Sequence, residues 1–203
     1  MLATMESSSP TEEVVMVDPD GDLILEIRQK RSDNDEPSES GNLKRLLVSS
    51  KILTISSPVF KARLCGPFLE GQLALNNVNP PVLPLPEDDP GAMEMLTRIL
   101  HHSFTITDVL RIPGLCHMAM TSDKYGCNVV IKSWFHAYLF RRAKSGPFGA
   151  SELARLLSAS YMLDDHEFFY RCTEIAILEM ERNQNALSLQ SDRTDQSCWP
   201  NRV

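Results

Sequence analysis

The amino-acid sequence predicts an α+β domain, a small β-sheet with clustered α-helices, because strand-like segments come early in the chain and helix-like segments come late. Apolar runs of strand length occur within residues 14–27, at 46–48 and at 82–85. After Asp89 the apolar residues follow helical spacing, and strands do not alternate with helices as they do in α/β proteins. We therefore expect helices gathered around one small sheet, with additional helices at the C-terminal end.

A turn signal separates the first two predicted strands. Asp18-Pro19-Asp20-Gly21 lies between the two apolar runs of residues 14–27. Its proline fixes φ and its glycine permits a positive φ, as a tight turn requires. This pattern predicts a β-hairpin. Prolines on either side of residues 82–85 predict an edge strand, where the missing N–H groups matter least.

The stretch 46–71, LLVSSKILTISSPVFKARLCGPFLEG, predicts a strand followed by two short helices. Ser49 and Ser50 offer hydroxyl N-caps to the first helix. Ser57 can cap the second helix, and Pro58 suits its first position because no hydrogen bond is lost there. Gly66 ends the second helix. The rest of the chain is expected to pack around this strand–helix–helix corner.

The later helices are predicted from caps and from apolar spacing. Asp89 and Pro90 begin the clearest of them, and Asp164 or Asp165 is expected to cap the last. Residues 129–140, which Asn128 can cap, are apolar nearly all round, as in a helix that is buried centrally or shared with a partner. The apolar residues that define the other helices are Ala92, Met95, Leu96, Ile99 and Leu100; Leu115, Ala119 and Tyr125; Leu153, Leu156, Leu157 and Tyr161, expected to face inward; and Phe168, Cys172, Ile175 and Ala176.

Composition divides the chain into five segments. Residues 1–13 are rich in Ser, Thr, Glu and Pro, which predicts a disordered leader rather than a signal peptide. The main domain is expected to span residues 14–145. It contains a polar loop insertion at 28–42, a solvated loop whose Ser38 and Ser40 could alternatively be phosphorylated. A C-terminal helical extension is predicted at 146–181 and a disordered polar tail at 182–203.

Charge and cysteine content restrict the class of protein. The net charge of −7 and the pI near 5.2 disfavour nucleic-acid binding, which requires clustered Lys and Arg. No apolar run approaches the ~18 residues of a membrane span. The five cysteines are an odd number without close pairs, which indicates reduced and mostly buried thiols. We expect a protein of the cytosol or nucleus.

The chemically rich residues are expected to be structural. Cys116, His117 and Cys127 lack the close cysteine pair of structural zinc sites. His101 and His102 end the best helix, where an exposed imidazolium would be favoured by the helix dipole. The acids at 164–167 stand where acids favour a helix start. No nucleophile elbow, P-loop or dinucleotide glycine pattern occurs, so we predict no enzyme, catalytic residue, cofactor or metal.

One basic cluster, Arg141, Arg142 and Lys144, follows the most apolar helix. Positive charge is favourable at a helix C-terminus, so the cluster does not require a nucleic-acid partner.

Several strings, in order, resemble a BTB/POZ domain, particularly the compact versions found in many fungal proteins. They are VDPDGDLILEI, VSSKILTISSPVF followed by KARL and FLEG, LPLPEDDPGAMEMLTRILHH, TSDKYGC and the helical stretch ending in YMLDD. Together they span about residues 14–170. The sequence departs from the family at Ser49, where many members carry a histidine. The resemblance implies an α+β fold, self-association or partner docking and, in some members, attachment to a cullin scaffold as the substrate adaptor of a ubiquitin ligase.

We expect a protein-interaction module whose partner contacts bury apolar side chains at a central patch. The candidates are Leu23 and Leu25 on the hairpin and Phe60 and Phe68 near the corner; alternatively, all four are core residues. For the adaptor role, no recognisable substrate-reading domain follows, so the C-terminal helices or tail would recruit the substrate.

Two other functions stay open. One is a dimerising transcriptional co-regulator that does not touch DNA. The other is a small hydrolase in which a cysteine meets His117 or His136.

Overall fold

The computed structural model describes residues 14–28, 43–104 and 114–195, with side chains described up to Asn183. These residues form a mixed α+β fold with four strands and seven α-helices. The strands are β1 (Val14–Met16), β2 (Leu23–Arg28), β3 (Leu43–Val48) and β4 (Val82–Leu85). The helices are α1 (Ser50–Ser56), α2 (Pro58–Cys65), α3 (Pro90–Leu100), α4 (Leu115–Tyr125), α5 (Asn128–Arg142), α6 (Ala150–Met162) and α7 (His166–Asp195), with short 3-10 helices at Leu69–Gln72 and Ala143–Ser145.

The sheet has the order β1-β3-β2-β4, so the predicted hairpin within residues 14–27 is wrong. β3 lies between β1 and β2, parallel to the first and antiparallel to the second. The reason is that β3 takes the hydrogen bonds a hairpin would use. The N–H groups of Val17 and Asp18 both donate to the carbonyl of Leu47, and the N–H of Asp22 donates to the carbonyl of Val48.

β4 lies at the opposite edge of the sheet, the position that its prolines predict. It runs parallel to β2. Pro84 has no N–H to offer a further strand, so the outer side of β4 is a poor template for pairing.

The core forms where one face of the sheet meets the helices. Strand alternation turns Leu23, Leu25 and Ile27 of β2 inward, and all three have no exposed surface. α3 packs against β2 and β3. Each fully buried side chain of this size contributes about 1.5–3 kcal/mol through removal from water. The buried side chains that α3 adds are Ala92, Met93, Leu96, Thr97, Ile99 and Leu100.

The predicted side-chain caps are present at the starts of four helices. Ser57 Oγ accepts from the N–H of Phe60 at 3.1 Å, and Asp89 Oδ1 accepts from the N–H of Ala92 at 2.7 Å. Asp165, the second of the two aspartates considered, accepts from the N–H of Phe168 at 3.0 Å. The fourth cap is Ser49, whose Oγ accepts from the N–H of Ile52 at the start of α1. The predicted Asn128 cap is wrong, because Asn128 is the first residue of α5 and its side chain bonds to those of Ser122 and Asp123.

α5 is not buried all round. Ile131 and Phe135 are fully buried, whereas Val129 is 83% exposed and Phe140 is 65% exposed. One side of the helix therefore belongs to the core, and its apolar residues on the other side remain exposed.

Two expectations for the C-terminal helices need correction. Tyr161, expected to face inward on α6, is 80% exposed. α7 continues to Asp195, past residue 182, where a disordered tail was expected. Residues 182–195 contain neither proline nor glycine, and extending an existing helix by one residue fixes only that residue. Residues 196–203, like the expected leader 1–13 and Ser38 and Ser40 of the predicted loop, lie outside the described residues.

Candidate interaction surface

Three large apolar side chains are exposed along the strand–helix–helix corner. Ile55 of α1 is 74% exposed, Phe68 is 54% exposed and Leu69 of the following 3-10 helix is 82% exposed. α2 packs against both α1 and that 3-10 helix, so the three elements form one continuous piece of the fold. We call Ile55, Phe68 and Leu69 the corner surface. Large apolar side chains that are exposed on adjoining elements are candidates for an interaction site.

Short-range contacts hold the 3-10 helix against α2. Arg63 donates to Glu70 Oε1 at 3.0 Å. A backbone hydrogen bond, with help from Arg63, lowers the pKa of Glu70 from its ordinary value. A Cβ on Gly71 would lie 2.2 Å from the carbonyl oxygen of Gly66, so the chain can fold this tightly only with glycine there. The position of Phe68 and Leu69 is therefore set by the backbone around them.

A buried network supports the corner from beneath. The rings of Phe60 and Tyr125 stack with centroids 4.5 Å apart. Ser57 Oγ donates to the carbonyl of Tyr125 at 2.6 Å, and the Tyr125 hydroxyl donates to Asp88 at 2.9 Å. Burial, and then the negative charge of Asp88, raises the pKa of Tyr125. Lys124 supplies the counter-charge for Asp88 at 2.9 Å. The end of α4 is thus fixed to α2 and to the loop before α3.

His101 joins the corner to the end of α3, which corrects the expectation of an exposed imidazolium. Its Nδ1 lies 2.7 Å from the carbonyl of Thr97, and its Nε2 lies 3.0 Å from the backbone N–H of Ser49. A carbonyl only accepts and an N–H only donates, so Nδ1 carries the proton and Nε2 does not. Burial lowers the pKa of His101, which favours the same neutral form.

The structure separates the four predicted interaction residues. Leu23, Leu25 and Phe60 have no exposed surface and belong to the hydrophobic core, so they cannot meet a partner in this folded form. The alternation of β2 and the stacking of Phe60 on Tyr125 explain their burial. Phe68 alone among the four is exposed. Sequence spacing could not have found Ile55 and Leu69, because the apolar character of a residue in a short helix does not decide whether it faces the core or solvent.

The three residues considered as zinc ligands, Cys116, His117 and Cys127, each contact a different residue. Cys116 donates to the carbonyl of Arg155, Cys127 donates to that of Ser56, and His117 lies 3.6 Å from Asp89. Within residues 14–28, 43–104 and 114–195, no three His, Cys, Asp or Glu side chains are placed to hold a metal ion.

The buried cysteines Cys127 and Cys172 lack the activated thiol that a hydrolase nucleophile needs. Burial raises the pKa of Cys127 to about 11 and that of Cys172 to about 12, whereas a nucleophilic cysteine reacts as the thiolate. His136 Nε2 bonds to Asp165 Oδ2 at 2.9 Å. Asp165 also caps α7, and the resulting contact ties α5 to the α6–α7 turn.

The basic cluster at the end of α5 has two parts. Arg142 binds Glu152 of α6 through two hydrogen bonds of 2.7 Å, donates to the carbonyls of Gly146 and Pro147, and lies over the ring of Phe148. Its charge therefore joins α5 to α6 rather than complementing the helix dipole alone. Within the part of the chain that the structure describes, neither Arg141 nor Lys144 makes such a bridge, and Lys144 lies over the ring of Phe140.

Comparison with known proteins does not assign a family. No protein-family model matches this sequence, and no curated protein matches it. Among the helices of the described residues, none combines the length and the apolar character needed to cross a lipid bilayer.

Proposed function

We propose that the protein is an interaction module of the BTB/POZ type that self-associates or docks a protein partner through the corner surface. The observation that carries the proposal is the exposure of Ile55, Phe68 and Leu69 on elements that a buried network fixes. A rigid apolar surface binds with little loss of conformational entropy. The ordered BTB-like strings and the α+β element order support the same class of protein.

Two specific forms of this function follow from the BTB/POZ resemblance. The preferred form is a substrate adaptor that attaches to a cullin scaffold, with α6 and α7 available to recruit the substrate. The alternative is a dimerising transcriptional co-regulator that does not touch DNA, which the net charge of −7 favours over direct DNA contact.

Affinity purification from native cells tests the proposal. Protein carrying one tag is purified beside a second copy carrying another tag, and both the second tag and any cullin are measured. The variant Phe68→Ser/Leu69→Ser should lose the partner, since centrally placed apolar contacts carry most of an interface's energy. Val129→Ser removes an equally exposed apolar side chain from α5 and should behave as wild type.

The results separate the forms of the proposal. A stoichiometric cullin that the corner variant loses supports the adaptor. Self-association without cullin supports the dimerising regulator. Wild type that binds neither a second copy nor a specific protein, or a corner variant that binds as wild type does, would overturn the proposal.

A further inference from the structure

A groove of about 770 Å³ opens between α4 and the turn that joins α6 to α7. Its volume is within the range of about 300–1,000 Å³ typical of binding pockets. Met120, Tyr161 and Phe169 supply apolar surface and are 53%, 80% and 45% exposed. We call this feature the α4–α7 groove. It lies on different elements from the corner surface.

The charged side chains that line the α4–α7 groove are mostly acidic, and Lys132 donates to the backbone carbonyl of Asp164 at 2.8 Å. Asp123 and Asp164 line it, and neither forms an ion pair with a described side chain. Lys124, which also lines the groove, is paired with Asp88, and Asp165 is paired with His136. Such a groove suits an apolar side chain that has cations beside it.

The C-terminal end of α5 presents an exposed apolar side chain with a cation beside it. Phe140 is 65% exposed, and Lys144 Nζ lies 4.1 Å from the centre of its ring. Arg141 precedes Lys144 and is half-buried, and its Nε, which is itself buried, has no hydrogen-bond partner among the described residues. Glu152 neutralises Arg142, whereas Lys144 lies over the exposed ring of Phe140 and Arg141 is its neighbour in sequence. We call Phe140, Arg141 and Lys144 the basic end of α5.

The two surfaces lie on opposite sides of α7, so they do not meet within one molecule. Phe169 of α7 lines the α4–α7 groove. Leu178 borders a second pocket together with Ala143 and Gly146, which adjoin the basic end of α5. Nine residues separate positions 169 and 178, which is about two and a half turns and places them on opposite helix faces.

We propose that the protein associates head to tail, with the basic end of α5 of one copy docked in the α4–α7 groove of the next. The charges are complementary, and each copy presents both surfaces. A contact between two different surfaces leaves one of each unused, so such association forms chains or rings rather than a closed dimer. The proposal deepens the self-association proposed above but uses different residues, and it can hold or fail independently of the corner surface.

Mixing two surface variants tests this geometry. All proteins carry Phe68→Ser/Leu69→Ser, so that corner contacts do not contribute. One variant adds Phe140→Ser/Lys144→Glu to remove the basic end, and the other adds Tyr161→Ser/Asp164→Asn to remove the groove. These four side chains are exposed, and asparagine tolerates the positive φ of Asp164. Ile177→Ser/Arg171→Glu is the matched control on the surface of α7.

Sedimentation velocity over a range of protein concentrations gives the result. At the dilution of a purification from cells, where the corner variant is expected to lose its partner, the parent and the control should be monomeric. They should exceed the mass of a dimer only as concentration rises well above that level, and added salt should reduce this association. Each variant alone should remain monomeric, and their equimolar mixture should form a 1:1 dimer and nothing larger. A parent that stays monomeric, association that neither variant reduces, or a mixture that stays monomeric would overturn the proposal. None of these results bears on the loss of a partner through the corner surface.

Discussion

The backbone N–H of Ser49 donates a hydrogen bond of 3.0 Å to Nε2 of His101, 52 residues further along the chain. Ser49 also caps α1, and His101 ends α3. The imidazole of His101 therefore connects the start of α1 to the end of α3. The bond requires a neutral histidine, because a protonated Nε2 would face the N–H with a hydrogen of its own.

This bond predicts loss of stability at mildly acidic pH. Burial lowers the pKa of His101 from its ordinary 6.5, so below that pH the unfolded chain binds a proton that the folded protein does not. The stability that neutral His101 contributes to the folded protein is complete above pH 6.5. It is lost as the pH falls through the lowered pKa of His101. The free energy of unfolding in urea, compared at pH 7.5 and 5.5, should fall less for His101→Asn than for wild type. The same variant should lose about 1–3 kcal/mol at pH 7.5, since the Ser49 N–H loses its acceptor.

His102→Asn is the control for this experiment. His102 is exposed and has a positive φ of 56°, which asparagine tolerates. It should keep most of the pH dependence of wild type, because burial is the largest cause of the lowered pKa of His101 and the charge of His102 is the smallest. Equal pH dependence in His101→Asn and wild type would contradict the assignment.

Removing the hydroxyl of Tyr125 should weaken the support beneath the corner. Tyr125→Phe leaves the stacking on Phe60 in place but takes a donor from the buried carboxylate of Asp88. We expect a loss of about 1–3 kcal/mol in the free energy of unfolding. Tyr170→Phe, at a 63% exposed position, should change it by less than about 0.5 kcal/mol. If the two variants were equally stable, the hydrogen bond would contribute nothing.

Arg142 should not tolerate replacement by lysine. Its guanidinium serves both oxygens of Glu152, two carbonyls and the face of Phe148, whereas an ammonium group cannot match this planar geometry. Arg142→Lys should lower the free energy of unfolding by about 1–3 kcal/mol. Arg171→Lys, at an exposed ion pair with Glu174, should be nearly neutral. Chemical denaturation of both variants measures the difference, and a neutral Arg142→Lys would count against the bridge between α5 and α6.

Alkylation should distinguish the cysteines. Cys65 is exposed, whereas Cys127 and Cys172 are buried and have pKa values raised to about 11 and about 12. In the native protein at pH 8, iodoacetamide should label Cys65 at least about tenfold faster than the two buried thiols. Peptide mass mapping reports each cysteine separately, and urea should remove the difference. Rapid labelling of Cys172 without urea would show that the first turns of α7 open readily.

Local chemistry accounts for the features that the sequence predicted correctly. Ser57 with Pro58 and Asp89 with Pro90 each start a helix within a few residues of their own position, and Asp165 caps α7 in the same way. Such signals act over one turn, so no distant part of the chain is needed to interpret them. The same holds for the helical spacing of α3 and for the prolines of β4.

The sequence predicted less of the corner surface than of the fold. Phe68 was predicted and is exposed, whereas Leu23, Leu25 and Phe60 share its apolar character and lie in the core. Hydrophobicity alone does not distinguish a core side chain from a docking side chain, because only the arrangement of neighbouring elements decides which face is covered.

By itself the sequence determined the α+β class, most helix starts and the edge position of β4, because these depend on residues close together in the chain. The tertiary structure decided what depends on distant residues. β3 entered between β1 and β2 and replaced the predicted hairpin, since its carbonyls accept the N–H groups of Val17 and Asp22. Burial beside Ser49 made His101 neutral, and packing left Tyr161 exposed while it covered Phe60. Hydrogen bonding and burial between segments far apart in sequence supplied what local patterns could not.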